Sequence, residues 1–215
     1  MAVGALAIYL VWAVLAFGWR AIVQRRRTGD TGFRGFSGTP GSIEWWAGLL
    51  FVVAIVAGLA APVLDLVAAI EPLDLLDNDW IAIAGIVFAT TGVIGTLAAQ
   101  LAMGDSWRVG VDPDERTELV VDGPFAVARN PIFSMMALTA AGLTLMVPNS
   151  VAIGGFVGLI VGLELQVRLV EEPYLSNAHG ERYTTYAAQV GRFMPGIGRL
   201  NASDARDDAR RLETR

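Results

Sequence analysis

Apolar residues fill five long stretches of the chain, and polar residues are largely confined to the segments between them. The stretches run from Ala2 to about Val23, Trp45 to about Leu64, Trp80 to Met103, Pro131 to Val147 and Val151 to about Val170. Each is close to the roughly 20 residues that a helix needs to cross the hydrocarbon core of a membrane. The pattern predicts an all-α integral membrane protein with about five transmembrane helices.

The first stretch differs from a secretory signal peptide. Its apolar run is longer than a signal peptide's, no basic residue precedes it, and Arg25-Arg26-Arg27 follows it. We therefore expect the first stretch to remain as a membrane helix.

The arginines predict how the protein is oriented. They follow the first helix, precede the fourth and follow the fifth, whereas the segment between the second and third helices contains only acidic charges. These acidic residues are Asp65, Glu71, Asp74, Asp77 and Asp79. Because cytoplasmic loops are rich in arginine and lysine, we expect the N-terminus outside and the C-terminus in the cytoplasm, in the cell (inner) membrane.

The turn Pro148-Asn149-Ser150 is too short for anything but an antiparallel pair of helices. The fourth and fifth helices therefore form a hairpin, and its polar ends return to one face of the membrane. This brings Arg129 towards Glu171. We expect three regions: a three-helix membrane part over residues 1–103, a catalytic region over 104–200 with a C-terminal segment that closes a pocket, and a polar tail over 201–215.

Composition and charge exclude several classes of function. The chain has 215 residues, of which 54% are hydrophobic and 17% charged, and its mean hydropathy is +0.51. Its net charge of −5 argues against a nucleic-acid partner. With no cysteine and the single histidine His179, the usual ligand sets for a metal are missing, so no metal site is predicted.

Polar side chains gather after the fifth apolar stretch. Glu164, Arg168, Glu171 and Glu172 follow helical spacing, which predicts one charged face near the membrane boundary. One interpretation is an interfacial ladder of salt bridges, and the other is a wall of a ligand pocket. Further on, Tyr183 and Tyr186 lie three residues apart on a predicted short helix. They would either close over a planar or cationic ligand or lie at the level of the lipid headgroups.

The start of the fourth helix offers a second wall. Asn130 before Pro131 predicts a capped helix start, whose free N–H groups and positive dipole end suit an anion. Upstream, Thr117–Val121 precedes a turn and is expected to be an extended, strand-like piece that presents backbone groups to a flat base. Anion site, carboxylates and aromatic rings together suit a nucleoside with a zwitterionic tail.

Three motifs in a fixed order resemble a known family. They are LVVDGPFAVARNPIF, EEPYLSNAHGERYTTY and GRFMP, spread over roughly residues 117–195. They resemble the C-terminal half of the isoprenylcysteine carboxyl methyltransferases and their relatives, which include phospholipid N-methyltransferases. The chain departs from the family pattern at Asn130, where the family has histidine, and at Phe125 and Phe133, where it has tyrosine.

The resemblance implies S-adenosylmethionine as cofactor and a lipophilic acceptor that enters from the bilayer. The cofactor-binding residues that it implies, together with two added from the neighbouring pattern (His179 and Tyr183), are Glu118, Leu119, Val120, Phe125, Arg129, Asn130, Pro131, Phe133, Glu171, Glu172, His179 and Tyr183. Arg168 and Glu171 are the expected catalytic residues, with Arg168 orienting an acidic acceptor group. Two alternatives remain at this stage, an NADPH-dependent membrane reductase of the sterol reductase type and a non-enzymatic small membrane transporter or scaffold.

Overall fold

The computed structural model describes residues 1–35, 37–110 and 118–200, and the part of the chain that it describes is helical. The helices are α1 Ala2–Thr28, α2 Ile43–Leu66, α3 Asp79–Ala102, α4 Pro131–Met146, α5 Ser150–Gln166, α6 Glu172–His179 and α7 Glu181–Gln189. A π-helical turn, Val14–Trp19, lies within α1, and another, Val167–Glu171, joins α5 to α6. Short 3-10 turns occupy Gly104–Ser106 and Gly123–Ala126.

Local sequence explains where several helices begin. The side chains of Ser42, Asn78 and Asn149 accept hydrogen bonds from backbone N–H groups in the first turns of α2, α3 and α5. Such caps satisfy donors that have no partner inside the helix. Pro131 is the first residue of α4, where its missing N–H costs nothing.

The predicted all-α membrane fold is confirmed. Among the described residues, four helices are long and apolar enough to cross a membrane: Ala2–Thr28, Ile43–Leu66, Asp79–Ala102 and the continuous run Ser150–His179, which joins α5, the π-helical turn and α6. The fifth predicted span, α4, has 16 residues, which at roughly 1.5 Å per residue is shorter than the hydrocarbon core. A count of five spans therefore stays a prediction.

The two helices of the hairpin pack on different partners. α4 lies mainly against α3, and α5 against α2. Glycines allow this approach, since a Cβ on Gly85 of α3 would lie 2.7 Å from the carbonyl oxygen of Gly142 in α4. On α5, Gly158 and Gly162 face α2 together with Gly155, whereas Gly154 is exposed.

The bundle has two polar ends of different character. At one end the α2–α3 connection meets the hairpin turn, where Leu73 N donates to Pro148 O at 2.8 Å. This end carries the acidic residues between α2 and α3. At the other end lie the end of α1, the segment after α3, the start of α4 and residues 171–200, with the arginines. The candidate site is at this arginine-rich end.

Candidate active site

Arg129 is the centre of a buried polar cluster at the start of α4. The residue is 6% exposed. Its guanidinium donates to the hydroxyl of Tyr183 at 3.0 Å and to the carbonyl of Gly198 at 2.6 Å. The same guanidinium forms an ion pair with Glu172, with Nη2 and Oε1 3.0 Å apart. Arg129 thus joins α4 to α6, α7 and the C-terminal segment.

Glu172 is shared by two arginines. Arg192 binds it with two hydrogen bonds, Nε to Oε1 at 2.8 Å and Nη2 to Oε2 at 2.9 Å. Both Glu172 and Arg192 are 8% exposed. A buried charge is stable only when it is paired and hydrogen-bonded, and the two-pronged geometry of arginine meets this requirement. The carboxylate is therefore already held on both oxygens.

The charge chain continues outwards. Arg192 Nη1 lies 3.9 Å from Glu164 Oε2, and Arg168 Nε lies 2.6 Å from the same oxygen. The order from the core to the surface is Arg129, Glu172, Arg192, Glu164, Arg168. Ion pairs of the kind that the salt-bridge interpretation expects are therefore present, but two of the arginines, Arg129 and Arg192, come from outside the α5–α6 segment. Arg168 is the outer end of this chain of ion pairs, and its side chain is 57% exposed.

The C-terminal segment, residues 190–200, is fastened across the start of α4. Arg129 N donates to Gly191 O at 2.8 Å, and Asn130 N donates to Arg192 O at 3.0 Å. This segment supplies Arg192, which the sequence interpretation missed as a site residue. Its signal was a lone arginine in the quoted motif GRFMP.

Asn130 occupies the predicted capping position, but its side chain makes no capping hydrogen bond. Its amide instead donates to the carbonyl of Arg192 at 3.2 Å. The expectation of a capping side chain is therefore wrong, and the side chain makes this tertiary contact instead. A neighbouring contact, from Ser134 Oγ to Phe193 O at 2.6 Å, fixes the same segment.

The two tyrosines of α7 are built into the protein. Tyr183 is 1% exposed, packs with Leu119 and Ala187, and has no face open to a ligand or to lipid. Burial raises the pKa of Tyr183, so its hydroxyl stays protonated beside Arg129. Tyr186 donates to Phe125 O at 2.6 Å. Burial raises the pKa of Tyr186 to about 12, against the opposing charge of Arg129.

The remaining predicted residues fall into three groups by burial. Leu119, Phe125 and Pro131 are buried beside the cluster, and Val120, Phe133, Glu171 and His179 are half-buried. Glu118 and Arg168 are exposed. Residues 118–121 lie outside any helix or paired strand, and Thr117 lies outside the described residues.

The charged groups of α5 and α6 belong to one chain of ion pairs but differ in burial. Glu172 points into the core, whereas Arg168 is exposed. The π-helical turn Val167–Glu171 lies between α5 and α6.

Fold and site define a class: a helical integral membrane protein with a buried ionic cluster at the polar ends of a helix hairpin. Residues 80–182 match the phospholipid methyltransferase family. Over 120 residues the chain is 25% identical to protein-S-isoprenylcysteine O-methyltransferase B of Arabidopsis thaliana, a match that covers 55% of this chain and 61% of the plant protein. The chain thus spans less than two thirds of that curated relative.

A solved structure agrees in fold. It is that of a eukaryotic intramembrane Ras methyltransferase, an isoprenylcysteine carboxyl methyltransferase, with a TM-score of 0.55 and 17% identity over 92% of this chain and 70% of the other. The resemblance predicted from the three motifs is therefore confirmed, and the chain is similar both to the isoprenylcysteine carboxyl methyltransferases and to the phospholipid methyltransferases.

Proposed function

We propose that the protein is an enzyme that transfers a methyl group from S-adenosylmethionine to a lipophilic acceptor at the cytoplasmic face of a membrane. The observation that carries this proposal is the direct contact between the family motifs. Arg129 of the first motif binds Glu172 and Tyr183 of the second, and Arg192 of the third completes the cluster. The motif residues thereby form one site although they lie far apart in sequence.

The residues around the cluster fit such a cofactor. Among the described residues, the backbone groups of 118–121 have no backbone hydrogen-bond partner, so they are available to a base edge. Arg129 Nε is buried and likewise has no partner within the described part of the chain. Glu171 supplies a half-buried carboxylate next to the cluster. A donor, a carboxylate and free backbone groups match the polar parts of an adenosyl amino acid.

The charged residues take different roles in this proposal. Glu172 has both oxygens bound by arginine, so it holds the frame of the site, and a direct cofactor contact would compete with those bonds. Glu171 is left as the carboxylate that binds polar groups of the cofactor. Arg168 lies at the exposed end of the ladder, where it orients an acidic acceptor group.

Methyl transfer of this kind needs no covalent intermediate on the protein. S-adenosylmethionine supplies a methyl group on a sulfonium, and the acceptor displaces it in line. The side chains need to place the two partners and exclude water, which provides proximity and orientation. A carboxylate acceptor needs no base. An amine or hydroxyl acceptor would use His179 or Glu171, because the amide of Asn130 cannot act as a base.

We also propose the orientation and the extent of the catalytic region. The arginine-rich end of the bundle faces the cytoplasm and the acidic end faces outwards, in the cell membrane, in keeping with the charge bias of cytoplasmic loops. Residues 104–200 form the catalytic region, which contains the whole ionic cluster.

Ligand binding to the purified full-length protein tests this function. We expect calorimetry in detergent to show binding of S-adenosylhomocysteine, the demethylated product, and Glu171→Gln to weaken it by about tenfold, since a hydrogen bond to a charged group is lost. Glu181→Gln, an exposed glutamate on α7, is the matched control and should bind like the wild type. No binding by folded wild-type protein would refute the proposal. Binding of NADPH in its place would favour a reductase.

A second measurement addresses the acceptor. Membranes that contain the protein are supplied with cofactor carrying a radiolabelled methyl group, and the lipid and protein fractions are then extracted. We expect the label in an organic-soluble product. Label that stays entirely with the cofactor would count against transfer to a lipophilic acceptor.

A further inference from the structure

Arg20 of α1 is a buried arginine outside the ionic cluster. The residue is 1% exposed. Its guanidinium donates to the carbonyl of Gly104 and, at 3.0 Å, to Gln24 Oε1. Gln24 in turn donates to Asp105 O at 2.6 Å. Two polar side chains of α1 therefore grip the backbone immediately after α3.

The same segment is held further along by a stacked ring. The Arg20 guanidinium lies 4.8 Å from the centre of the Trp107 ring, and Trp107 is 2% exposed. Cation–π contacts of this kind are stronger when water is excluded. Gly32, at φ +80°, leaves room for the ring, because a Cβ there would lie 2.9 Å from it.

Backbone pairing fixes the end of the segment. Val109 N donates to Gly32 O at 2.8 Å, and Arg34 N donates to Val109 O at 2.9 Å. Residues 104–109 are thus bound to α1 on one side and to the chain that follows α1 on the other. We call residues 104–109 the bracket segment.

The side chain of Arg108 points away from α1. Trp107 has an extended backbone, so the side chains of Trp107 and Arg108 point to opposite sides. Trp107 turns towards α1. The Arg108 guanidinium lies 4.9 Å from the centre of the Tyr174 ring on α6, and its charge also interacts with the Glu171 carboxylate.

We propose that Arg108 is a further ligand-binding residue of the candidate site and that Arg20 is the residue that positions it. This inference rests on the proposed function. Arg108 and Glu171 provide a positive and a negative group that interact with each other, and the Arg108 guanidinium also lies over an aromatic ring. That arrangement suits the zwitterionic amino-acid part of the cofactor, with its carboxylate at Arg108 and its ammonium at Glu171.

This role gives α1 a part in the site. α1 lies outside residues 80–182, the region that matches the family. Its apolar side chains share a core cluster with Ile132 and Phe133, whereas its polar residue Arg20 hydrogen-bonds to the bracket segment. Its effect would pass through the bracket segment. Arg20 is therefore a positioning residue and not a catalytic one.

Two ligands separate binding of the amino-acid part from binding of the nucleoside. S-adenosylhomocysteine carries the amino-acid part, and 5′-methylthioadenosine lacks it. We expect Arg108→Gln in the full-length protein to weaken S-adenosylhomocysteine binding by about tenfold to a hundredfold, the range of a hydrogen bond to a charged group. Binding of 5′-methylthioadenosine should change less than twofold. Arg26→Gln, an exposed arginine near the end of α1, is the control and should leave both affinities unchanged.

Positioning by Arg20 predicts the same selective loss in Arg20→Met. It also predicts non-additivity, since the double variant Arg20→Met/Arg108→Gln should bind S-adenosylhomocysteine no more weakly than Arg108→Gln alone. If Arg20→Met does not fold, Gln24→Leu removes the neighbouring hydrogen bond to Asp105 O with no loss of charge. Its loss of S-adenosylhomocysteine affinity should be smaller than that of Arg20→Met and should likewise leave 5′-methylthioadenosine binding unchanged.

The outcomes are distinct. Wild-type affinity of Arg108→Gln for S-adenosylhomocysteine, or an equal loss for both ligands, would overturn the role of Arg108. Additive losses in the double variant would overturn positioning by Arg20. A folded wild-type protein that binds neither ligand would instead refute the proposed function itself.

Discussion

Glu172→Gln offers the sharpest test of the ionic cluster. In the wild type one carboxylate neutralises two buried arginines, with Arg129 and Arg192 side chains 2% and 10% exposed. Glutamine has nearly the same shape, but it carries no charge and its NH2 group would face arginine donors. The substitution would therefore leave two guanidinium groups close together without their counter-ion.

The magnitude follows from the burial of the partners. Removing one member of a buried ion pair costs about 3–5 kcal/mol because the remaining charge stays buried. Arg129 keeps its bonds to Tyr183 and Gly198, so the lower end of this range is expected. For a chain of this size, about 3 kcal/mol corresponds to a fall of about 6–12 °C in the unfolding midpoint.

Thermal unfolding in detergent, followed by the fluorescence of the tryptophans, measures this change. Glu181→Gln, on the exposed side of α7, should shift the midpoint by no more than about 2 °C. Adding Arg192→Met to Glu172→Gln removes the second unpaired cation, so the double variant should be more stable than Glu172→Gln alone. A midpoint for Glu172→Gln equal to that of the control would refute the reasoning, as would a double variant less stable than Glu172→Gln alone.

Two further predictions concern orientation and alkaline pH. The chain has no cysteine, so a cysteine introduced by Asp74→Cys or Arg26→Cys is the single thiol that a maleimide can label. In intact cells a membrane-impermeant maleimide should label Asp74→Cys and not Arg26→Cys. The reverse result would contradict the proposed orientation. Because the pKa of Tyr186 is raised to about 12 in the folded protein, its neutral form stabilises the fold below pH 10, and this contribution is lost between pH 10 and 12. The unfolding midpoint of Tyr186→Phe should therefore fall less than that of the wild type over this window, and equal falls would contradict the assignment.

The helices themselves were predictable, since length and apolar character are local properties. The C-terminal end of α1 was harder to predict. The apolar stretch stops near Val23, yet α1 continues to Thr28 through Arg25, Arg26 and Arg27. Three cations in the last turns are favourable beside the negative end of the helix dipole, and Gly29 at φ 81° ends the helix.

The candidate site was predictable only in part. Motif order and the short hairpin turn were sufficient to predict that Arg129 and the two glutamates lie at one face, and the structure brings Arg129 and Glu172 into contact. Spacing alone did not distinguish Glu172, which is buried, from Arg168, which is exposed, because Glu172 is enclosed by Arg129 and Arg192, which come from other parts of the chain. Asn130 fitted the sequence pattern of a helix cap, but its side-chain amide donates to the carbonyl of Arg192, which is distant in sequence.

By itself, the sequence determined that this is a helical membrane protein with its polar chemistry at the ends of a hairpin, because the cost of placing polar groups in hydrocarbon acts residue by residue. Only the tertiary structure decided which charges share a partner. Arg192 reaches Glu172 across 20 positions of sequence, and Arg20 reaches Gly104 across 84. Such contacts depend on how helices pack and where loops return, and a buried charge then binds whichever counter-group the packing places beside it.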